Sequence, residues 1–389
     1  MEGKNRNRLI VFLLLALCGP LSSAQTQKSQ TDSLVRLMKA QSLELIERFG
    51  IKYRKAIDAT FLHNGTYLIC DTALWNVDMR VIHADGHVQV IQDETKLTSD
   101  KLVYFIDDDL AQFRGTLVQL QNKKKNILRT RFLDYNTRDS IAVFKDGGAM
   151  RDEDGQIIES WNGSYDSRRK EFLFSNNVNM FTDSVFVKTE SLTYESDANR
   201  AVFNSHIDFW KGGNMLSAGQ GWYLRPEETF FFTDDVHGFS EEQEAWCDSL
   251  YFYRKPNDIL MRSRAQIQDT TRHVAAVADY VYYSDSLSQI TLCRRATVAL
   301  KTQEKDKVDT IYFGADTLVY RTIPRCDIPA ETVRAAEGRV AEMYVDPVAE
   351  YRKKAAQEAA QAKEAARAEM NPGRTGGTSR APGARSPGR

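Results

Sequence analysis

Residues 97–105 are LTSDKLVYF, and similar stretches stand at 245–253 (AWCDSLYFY) and 313–321 (FGADTLVYR). Aligned on the aromatic residue near the end of each copy, the pattern continues through an aromatic column made of Trp75, Tyr104, Tyr135, Tyr165, Tyr194, Tyr223, Phe252, Tyr283 and Tyr320. Successive members are 29, 31, 30, 29, 29, 29, 31 and 37 residues apart, and Leu45 lies thirty residues before Trp75. About ten copies of a unit near thirty residues predict a repeat array.

Three further columns precede the aromatic residue. Two residues before it stand mostly apolar residues: Leu43, Ala73, Leu102, Leu133, Gly163, Leu192, Gly221, Leu250, Val281 and Leu318. Five before it stand small residues: Ala40, Cys70, Ser99, Thr130, Ser160, Thr189, Ala218, Cys247, Ala278 and Ala315. Seven before it stand apolar residues: Met38, Leu68, Leu97, Leu128, Ile158, Val187, Leu216, Ala245, Ala276 and Phe313. Together the columns describe strands with one buried face.

The spacing of the columns predicts a bend within each strand. Side chains alternate between the two faces of a strand, but the step between the small column and the next apolar column is three residues, so both can face inward only across a bulge. The position four before the aromatic residue, the bend column, holds Asp71, Asp100, Asp248, Asp279 and Asp316. An Asp carboxylate can bind a local amide at such a kink. In three other units Arg131, Trp161 and Gly219 take this position.

A second strand completes each unit, as in residues 111–117, 172–178, 201–207 and 230–236. Asp107-Asp108-Asp109 and Asp234-Asp235 are expected to form turns. The predicted fold class is therefore all-β: an elongated, solenoid-like stack of about ten two-strand repeats over 34–324. Residues 33–54 could also form an amphipathic helix, but the match of Met38, Leu43 and Leu45 to the columns favours a strand.

The two ends differ in composition from the repeats. Lys4, Arg6 and Arg8 precede the apolar run 9–17, and Ser22-Ser23-Ala24 resembles a cleavage site, so residues 1–24 are predicted to be a signal peptide cleaved after Ala24. Cys18 leaves lipidation open, although Leu17 stands where a lipoprotein signal has a small residue. Asp346-Pro347 predicts a helix over 346–370, and the basic, Pro- and Gly-rich residues 371–389 predict a disordered tail.

Charge and side-chain chemistry exclude several functions. The chain carries −1, its first 24 residues +2 and its last 19 residues +4, which leaves about −7 for 25–370. A body this acidic is a poor nucleic-acid partner. Cys70, Cys247, Cys293 and Cys326 have no CxxC spacing, so neither a disulfide framework nor a zinc site is expected. His83 and His87 flank a predicted turn, and no nucleophile or phosphate-loop motif stands out, so we expect no metal, no cofactor and no enzyme activity.

The repeated unit resembles a known family. SDKLVYFIDDDLAQFRGTLVQL and its relatives CDTALWNVDMRVIHADGHVQVI and ESLTYESDANRAVFNSHIDF are similar to the organic-solvent-tolerance (OstA-like) domain. That domain occurs in the periplasmic lipopolysaccharide-transport protein LptA and in the N-terminal part of LptD. The resemblance covers about 34–324, and NGTYLICD at 64–71 resembles the Bacteroidetes-type version.

The resemblance implies an open, V-shaped β-jelly roll in the periplasm, with possible outer-membrane association. It implies an apolar groove for the acyl chains of lipopolysaccharide, and edge strands that pair with other jelly rolls of a bridge between the membranes or with a second copy. The chain departs from this family in its extra units and its helical, basic tail. The predicted groove lining is Leu102, Tyr104, Phe113, Leu133, Tyr135, Tyr165, Phe174, Leu192, Tyr194, Phe203, Tyr223, Phe232, Leu250, Phe252 and Tyr283. The tyrosine hydroxyls are expected at its rim.

Two other functions stay open from sequence. A structural or adhesive β-solenoid with a filled core would use the same columns as packing. A carbohydrate-active β-helix would need clustered carboxylates on one outward column, which Arg131, Trp161 and Gly219 interrupt. Lys123-Lys124-Lys125 and Arg294-Arg295 could contact lipid phosphates or form solvated loops.

Overall fold

The computed structural model describes residues 34–304, 307–344 and 346–370. The predicted signal peptide and the predicted disordered tail lie outside the described residues. The strands are β1 Arg36–Lys39, β2 Ser42–Arg48, β3 Ile51–His63, β4 Thr66–Asn76, β5 Val81–Gln92, β6 Thr95–Phe105, β7 Leu110–Gln121, β8 Ile127–Asn136, β9 Ile141–Phe144, β10 Gly148–Arg151, β11 Ile157–Ser160, β12 Asn162–Asp166, β13 Glu171–Thr182, β14 Val185–Glu195, β15 Arg200–Phe203, β16 Ile207–Lys211, β17 Asn214–Ala218, β18 Gln220–Leu224, β19 Thr229–Phe239, β20 Gln243–Tyr253, β21 Asp258–Asp269, β22 Val274–Ser284, β23 Gln289–Glu304 and β24 Lys307–Arg321. Two short 3₁₀ turns, Arg225–Glu227 and Arg325–Asp327, and two helices, α1 Ala330–Met343 and α2 Pro347–Met370, complete the chain.

The predicted all-β class is confirmed. From β3 to β8 each strand pairs antiparallel with the next in sequence, and β19 to β22 do the same. Between these runs some long strands are divided at the bend into two short ones. For example, β15 and β16 pair with different parts of β14. The described residues within 33–54 contribute to β1, β2 and β3, with β1 and β2 paired to β3, so the alternative of a helix there was wrong.

The predicted bend within each strand is present. In β6 the buried side chains are Thr95, Leu97, Ser99, Leu102 and Tyr104, and the two residues in the three-residue step, Asp100 and Lys101, are exposed. The pairing of β5 with β6 shifts at the same place, where two residues of β5 oppose one of β6. Such a bulge bends the strand and keeps both buried pairs on the inner face.

The second strand of the unit bends through a pair of residues with positive φ. Asn176 and Asn177 have φ of 65° and 53°, Asp234 and Asp235 have φ of 70° and 52°, and each pair opposes one bend-column residue of the next strand. Asn and Asp tolerate this left-handed conformation better than most residues. The prediction that Asp234-Asp235 forms a turn was therefore wrong, because the pair lies inside β19 at the bend. Asp107-Asp108-Asp109 do lie in the turn between β6 and β7.

The described residues divide into two compact units, 34–284 with 291–318 and 285–290 with 319–370. The second contains both helices, whose described side chains include no buried residue. Asp346 caps α2 as predicted, since its Oδ1 accepts a hydrogen bond of 2.8 Å from the amide of Val348. Helix α1 was not predicted, because Gly338 and the lack of an apolar stripe weaken its sequence pattern.

Candidate functional site

The interior of the first unit is lined by the predicted columns. Fourteen of the fifteen predicted lining residues are buried, each no more than 6% exposed: Leu102, Tyr104, Phe113, Leu133, Tyr135, Tyr165, Phe174, Leu192, Tyr194, Phe203, Tyr223, Phe232, Leu250 and Phe252. The fifteenth, Tyr283, is partly exposed. These residues face one another in this structure, and whether they contact lipid stays a prediction.

Aromatic rings form a stack across the inner face. Tyr165 lies on Phe172 with ring centroids 4.2 Å apart, and Tyr223 lies on Phe230 at 4.1 Å. Phe209 packs edge-on against Phe230 and Phe232, both at 5.2 Å. Phe172, Phe209 and Phe230 were missing from the predicted lining, although the alternation of their own strands marks them as inward-facing.

The tyrosine hydroxyls bind buried or half-buried polar groups, rather than the solvent expected at an open rim. The Tyr104 hydroxyl lies 2.5 Å from Nδ1 of His63, and Tyr135 donates a hydrogen bond of 2.6 Å to Oε1 of Gln92. Burial raises the pKa of both Tyr104 and Tyr135 to about 12. His63 and Gln92 are the last residues of β3 and β5, so both tyrosines extend from the apolar interior to strand ends that lead into turns.

Two rows of turns meet along one edge of this unit, and we call their contact the seam. The first row comprises the turns near residues 63–66, 92–95, 122–126, 152–156, 182–185 and 211–214, and the second row those near 106–109, 137–140, 167–170, 196–199, 225–228 and 254–257. Asn64 donates a hydrogen bond of 3.1 Å to Asp109, and Gln92 one of 2.8 Å to the carbonyl oxygen of Thr137. The seam therefore closes the interior with polar contacts.

Two arginines strengthen the other half of the seam. Nε of Arg225 lies 3.1 Å from Asp154, and its Nη1 donates a hydrogen bond of 3.0 Å to Thr182. Arg254 forms an ion pair with Asp183, and its Nη1 donates a hydrogen bond of 3.0 Å to the Tyr223 hydroxyl. Only 15% of each arginine side chain is exposed, so these contacts are better shielded than most surface ion pairs.

The interior leaves little space in this conformation. A cavity lined by Phe61, Leu102 and Tyr104, among others, has a volume of about 10 Å³. That is about the space of one water molecule. An acyl chain would fit this part of the interior only if the lining side chains moved.

Apolar side chains are exposed on the strands at the two ends of the first unit. In β1 and β2, which we call the first rung, Met38 and Leu43 are 55% exposed and Leu45 is 75% exposed. These are members of the same columns that are buried in the middle units. In the last strand of the unit, Tyr312 and Phe313 are also exposed. The ends therefore present apolar surface at the edge of a sheet.

The basic runs have acidic partners. Lys123 pairs with Glu94, and Lys125 with Glu153 at 2.6 Å. Arg295 forms two hydrogen bonds with Asp279, of 2.9 and 2.6 Å, across the bend. Arg294-Arg295 is thus a bend pair of β23, not a loop.

Within the described ranges no group of three or more His, Cys, Asp or Glu side chains is arranged to hold a metal ion. No helix among the described residues is long and apolar enough to cross a membrane.

Comparison with known proteins identifies one stretch of the chain. Residues 32–190 match the model of the OstA-like protein family, so this stretch is an OstA-like domain, as the repeated unit indicated. No curated protein matches. One similar solved structure is LptH, described as the LptA-homologous periplasmic component of the lipopolysaccharide transport device of Pseudomonas aeruginosa. It is 18% identical to this chain, with a TM-score of 0.28, and the match covers 30% of this chain and 94% of LptH. The WD40 domain of SCAP from fission yeast is 9% identical with a TM-score of 0.11, covering 73% of this chain and 90% of its own.

Proposed function

We propose that the protein is a non-enzymatic periplasmic carrier that binds the acyl chains of lipopolysaccharide in the interior of its first unit. The OstA-like stretch at 32–190 supports this class of function. The observation that carries the proposal is the uniform apolar lining, in which one column of aromatic residues and one of mostly Leu residues repeat through successive units. A core that serves only to hold a fold usually varies large and small residues from layer to layer.

The energetics of such a carrier are favourable once the seam parts. Each methylene of an acyl chain gains ~0.8 kcal/mol on leaving water, so one chain of a dozen carbons offers roughly 10 kcal/mol. A hydrogen bond across the seam, of the kind that Gln92 makes with the carbonyl oxygen of Thr137, contributes ~0.5–1.5 kcal/mol. Opening part of the seam therefore costs less than the lipid gains, provided that neighbouring strands stay paired.

The exposed rungs suggest how the carrier meets its partners. Among the described residues β1 and β2 pair only with β3, which leaves the other edge of the first rung available for a strand of another chain. Leu43 and Leu45 would add an apolar contact to such pairing. A chain of jelly rolls joined in this way would bridge the inner and outer membranes, and a second copy of this chain could pair in the same manner.

A filled structural β-solenoid is the alternative, and the close burial of the predicted lining favours it. Both functions use the same residues, so the loss of stability on truncating a core aromatic does not separate them. Only capture of lipid in the interior does.

Photocrosslinking tests the carrier function. A photoreactive phenylalanine analogue replaces Tyr165 or Tyr194, whose side chains are buried, and in matched controls replaces the outward neighbours Ser164 or Thr193. With purified lipid A, the carrier function predicts lipid adducts from 165 and 194 and few from 164 and 193. Equal capture at all four positions, with each variant folded by circular dichroism, would favour the filled solenoid.

A further inference from the structure

The seam skips one turn. In its first part, Asn64 and Gln92 each bond to a residue 45 positions further along the chain, Asp109 and Thr137. The next first-row turn bonds further on, since Asn122 and Asn126 both donate to Oγ of Ser196, at 3.3 and 3.0 Å. The second-row turn at 167–170 begins 45 positions after Asn122, but these two hydrogen bonds pass it by and go to the following second-row turn.

A cleft of about 160 Å³ lies where this 45-residue spacing is interrupted. Its wall is formed by the first-row turns at 93–95 and 122–124 and by the skipped turn at 167–170. The ion pairs at the cleft join residues of the same row, Glu94 with Lys123 and Lys170 with Asp197. They leave the space between the rows to solvent.

The lining of the cleft is rich in cations. Lys123, Lys124, Arg168 and Lys170 contribute four positive charges against three carboxylates, Asp93, Glu94 and Asp197. Lys123 and Lys170 are the two that pair with carboxylates, and the Arg168 guanidinium donates to the carbonyl oxygen of Arg138. Residues 25–370 carry a net charge of about −7, so a cleft with more cations than carboxylates is a local departure from their charge.

Tyr165 links the cleft to the apolar interior. Tyr165 lines the cleft, while its ring is 2% exposed and stacks on Phe172 inside the apolar core. An amphipathic ligand with an anionic end in the cleft would therefore have its apolar part directed along Tyr165 into the predicted lipid-binding interior.

We propose that this cleft binds a phosphomonoester, the headgroup phosphate of the lipid whose acyl chains occupy the interior. The inference rests on the proposed carrier function. A phosphate dianion offers three acceptor oxygens and binds Lys and Arg by charge-assisted hydrogen bonds. The exposed pairs Glu94–Lys123 and Lys170–Asp197 are weak enough to exchange for it, since surface ion pairs contribute ~0–1 kcal/mol.

The test compares three probes: lipid A carrying its phosphates, the same lipid after phosphatase treatment, and inorganic phosphate alone. Each is titrated by calorimetry into the wild-type protein, into Lys124→Gln/Arg168→Gln, and into the control Arg129→Gln/Lys188→Gln. Both pairs remove one exposed Lys and one exposed Arg, but Arg129 and Lys188 lie on outer strand faces away from the cleft. Circular dichroism checks that both variants fold.

The expected result is that phosphorylated lipid A binds the wild-type protein at least about tenfold more tightly than the dephosphorylated lipid. The cleft variant should lose this preference while still binding the dephosphorylated lipid, and the control should keep it. Equal binding of both lipids by the wild-type protein would overturn the cleft while leaving the carrier intact. Binding of inorganic phosphate without any preference for phosphorylated lipid would overturn the headgroup assignment. No binding of either lipid would overturn the carrier function, and the inference with it.

Discussion

Asp234 lies over Gly219, with its carboxylate in the space that a Cβ at residue 219 would fill. Earlier units have the same contact with the order of Asp and Gly exchanged, since Asp71 lies over Gly86 and Asp100 over Gly115. In each pair the partners are fifteen positions apart and one of them belongs to the bend column. Gly219 is therefore not a degenerate copy of the bend Asp but the other half of the same packing arrangement.

Because Asp and Gly exchange places between units, exchanging them at residues 219 and 234 should restore stability that a single substitution loses. Gly219→Ala should lower the free energy of unfolding by about 1–3 kcal/mol, because the new methyl group meets the Asp234 side chain. The double variant Gly219→Asp/Asp234→Gly should recover most of the loss, since residue 234 has a φ of 70°, close to the 79° of Gly86, which glycine adopts freely. Urea denaturation of both variants measures the effect.

Gly213→Ala is the matched control, because nothing lies within 4 Å of the position that a Cβ would take at residue 213. Its free energy of unfolding should change by less than ~0.5 kcal/mol. A double variant no more stable than Gly219→Ala would contradict the exchange.

The bends show how far the sequence determines the fold. The columns of Leu97, Ser99, Leu102 and Tyr104 predicted both the bend and the inward face of the strand, because burial follows a simple period. Asp100 accepts hydrogen bonds from the amide and hydroxyl of Thr116, at 3.0 and 2.9 Å, as expected of a bend-column carboxylate. These hydrogen bonds lower the pKa of Asp100. The bend of the second strand was missed, because pairs such as Asp234-Asp235 have the composition of turns.

The seam could not be predicted in the same way. Its contacts join residues 45 or about 70 positions apart, as between Asn64 and Asp109 or between Asp154 and Arg225, and involve no repeated motif. The sequence places polar residues at the ends of strands, but which row bonds to which depends on the twist of the sheets. The sequence consequently predicted the lining of the interior but not its closure.

Alkaline pH should destabilise the protein through its core tyrosines. Burial raises the pKa of Tyr104 and Tyr135 in the fold to about 12, above the ordinary value near 10. A raised pKa in the folded state means that their contribution is complete below about pH 10 and lost as pH rises towards 12. Each contributes roughly 2–3 kcal/mol. Urea midpoints across this range should fall, and less steeply for Tyr135→Phe than for wild type. Parallel curves for the two proteins would contradict this prediction.

Loosening the seam should both destabilise the fold and admit lipid faster. Arg225→Ala removes the contacts to Asp154 and Thr182 and should cost about 1–3 kcal/mol. The control Arg264→Ala removes an ion pair to Asp248 whose arginine is 78% exposed, and should cost less than ~1 kcal/mol. Stopped-flow uptake of a fluorescent lipid should be faster only for Arg225→Ala. Equal uptake rates for the two variants would argue against entry through the seam.

Thiol labelling should distinguish the four described cysteines. Burial raises the pKa of Cys70 and Cys247 to about 12, so little reactive thiolate forms there at neutral pH, whereas Cys326 is exposed. Peptide mapping after brief alkylation should find Cys326 modified first and Cys70 and Cys247 modified only in denaturant. Rapid native labelling of Cys70 would indicate that the interior opens more readily than the packed structure implies.

The first rung offers a test of edge pairing. Leu43→Lys/Leu45→Lys places two charges on side chains that are already 55% and 75% exposed, so stability should change by less than ~0.5 kcal/mol. Charged side chains on an edge strand oppose pairing with another chain, so any self-association in sedimentation velocity should weaken. Glu44→Lys, on the opposite face of β2, is the matched control and should associate as wild type does. If the wild-type protein associates and the double variant does so equally, the first rung is not the contact, and partner pairing must involve the other end of the unit.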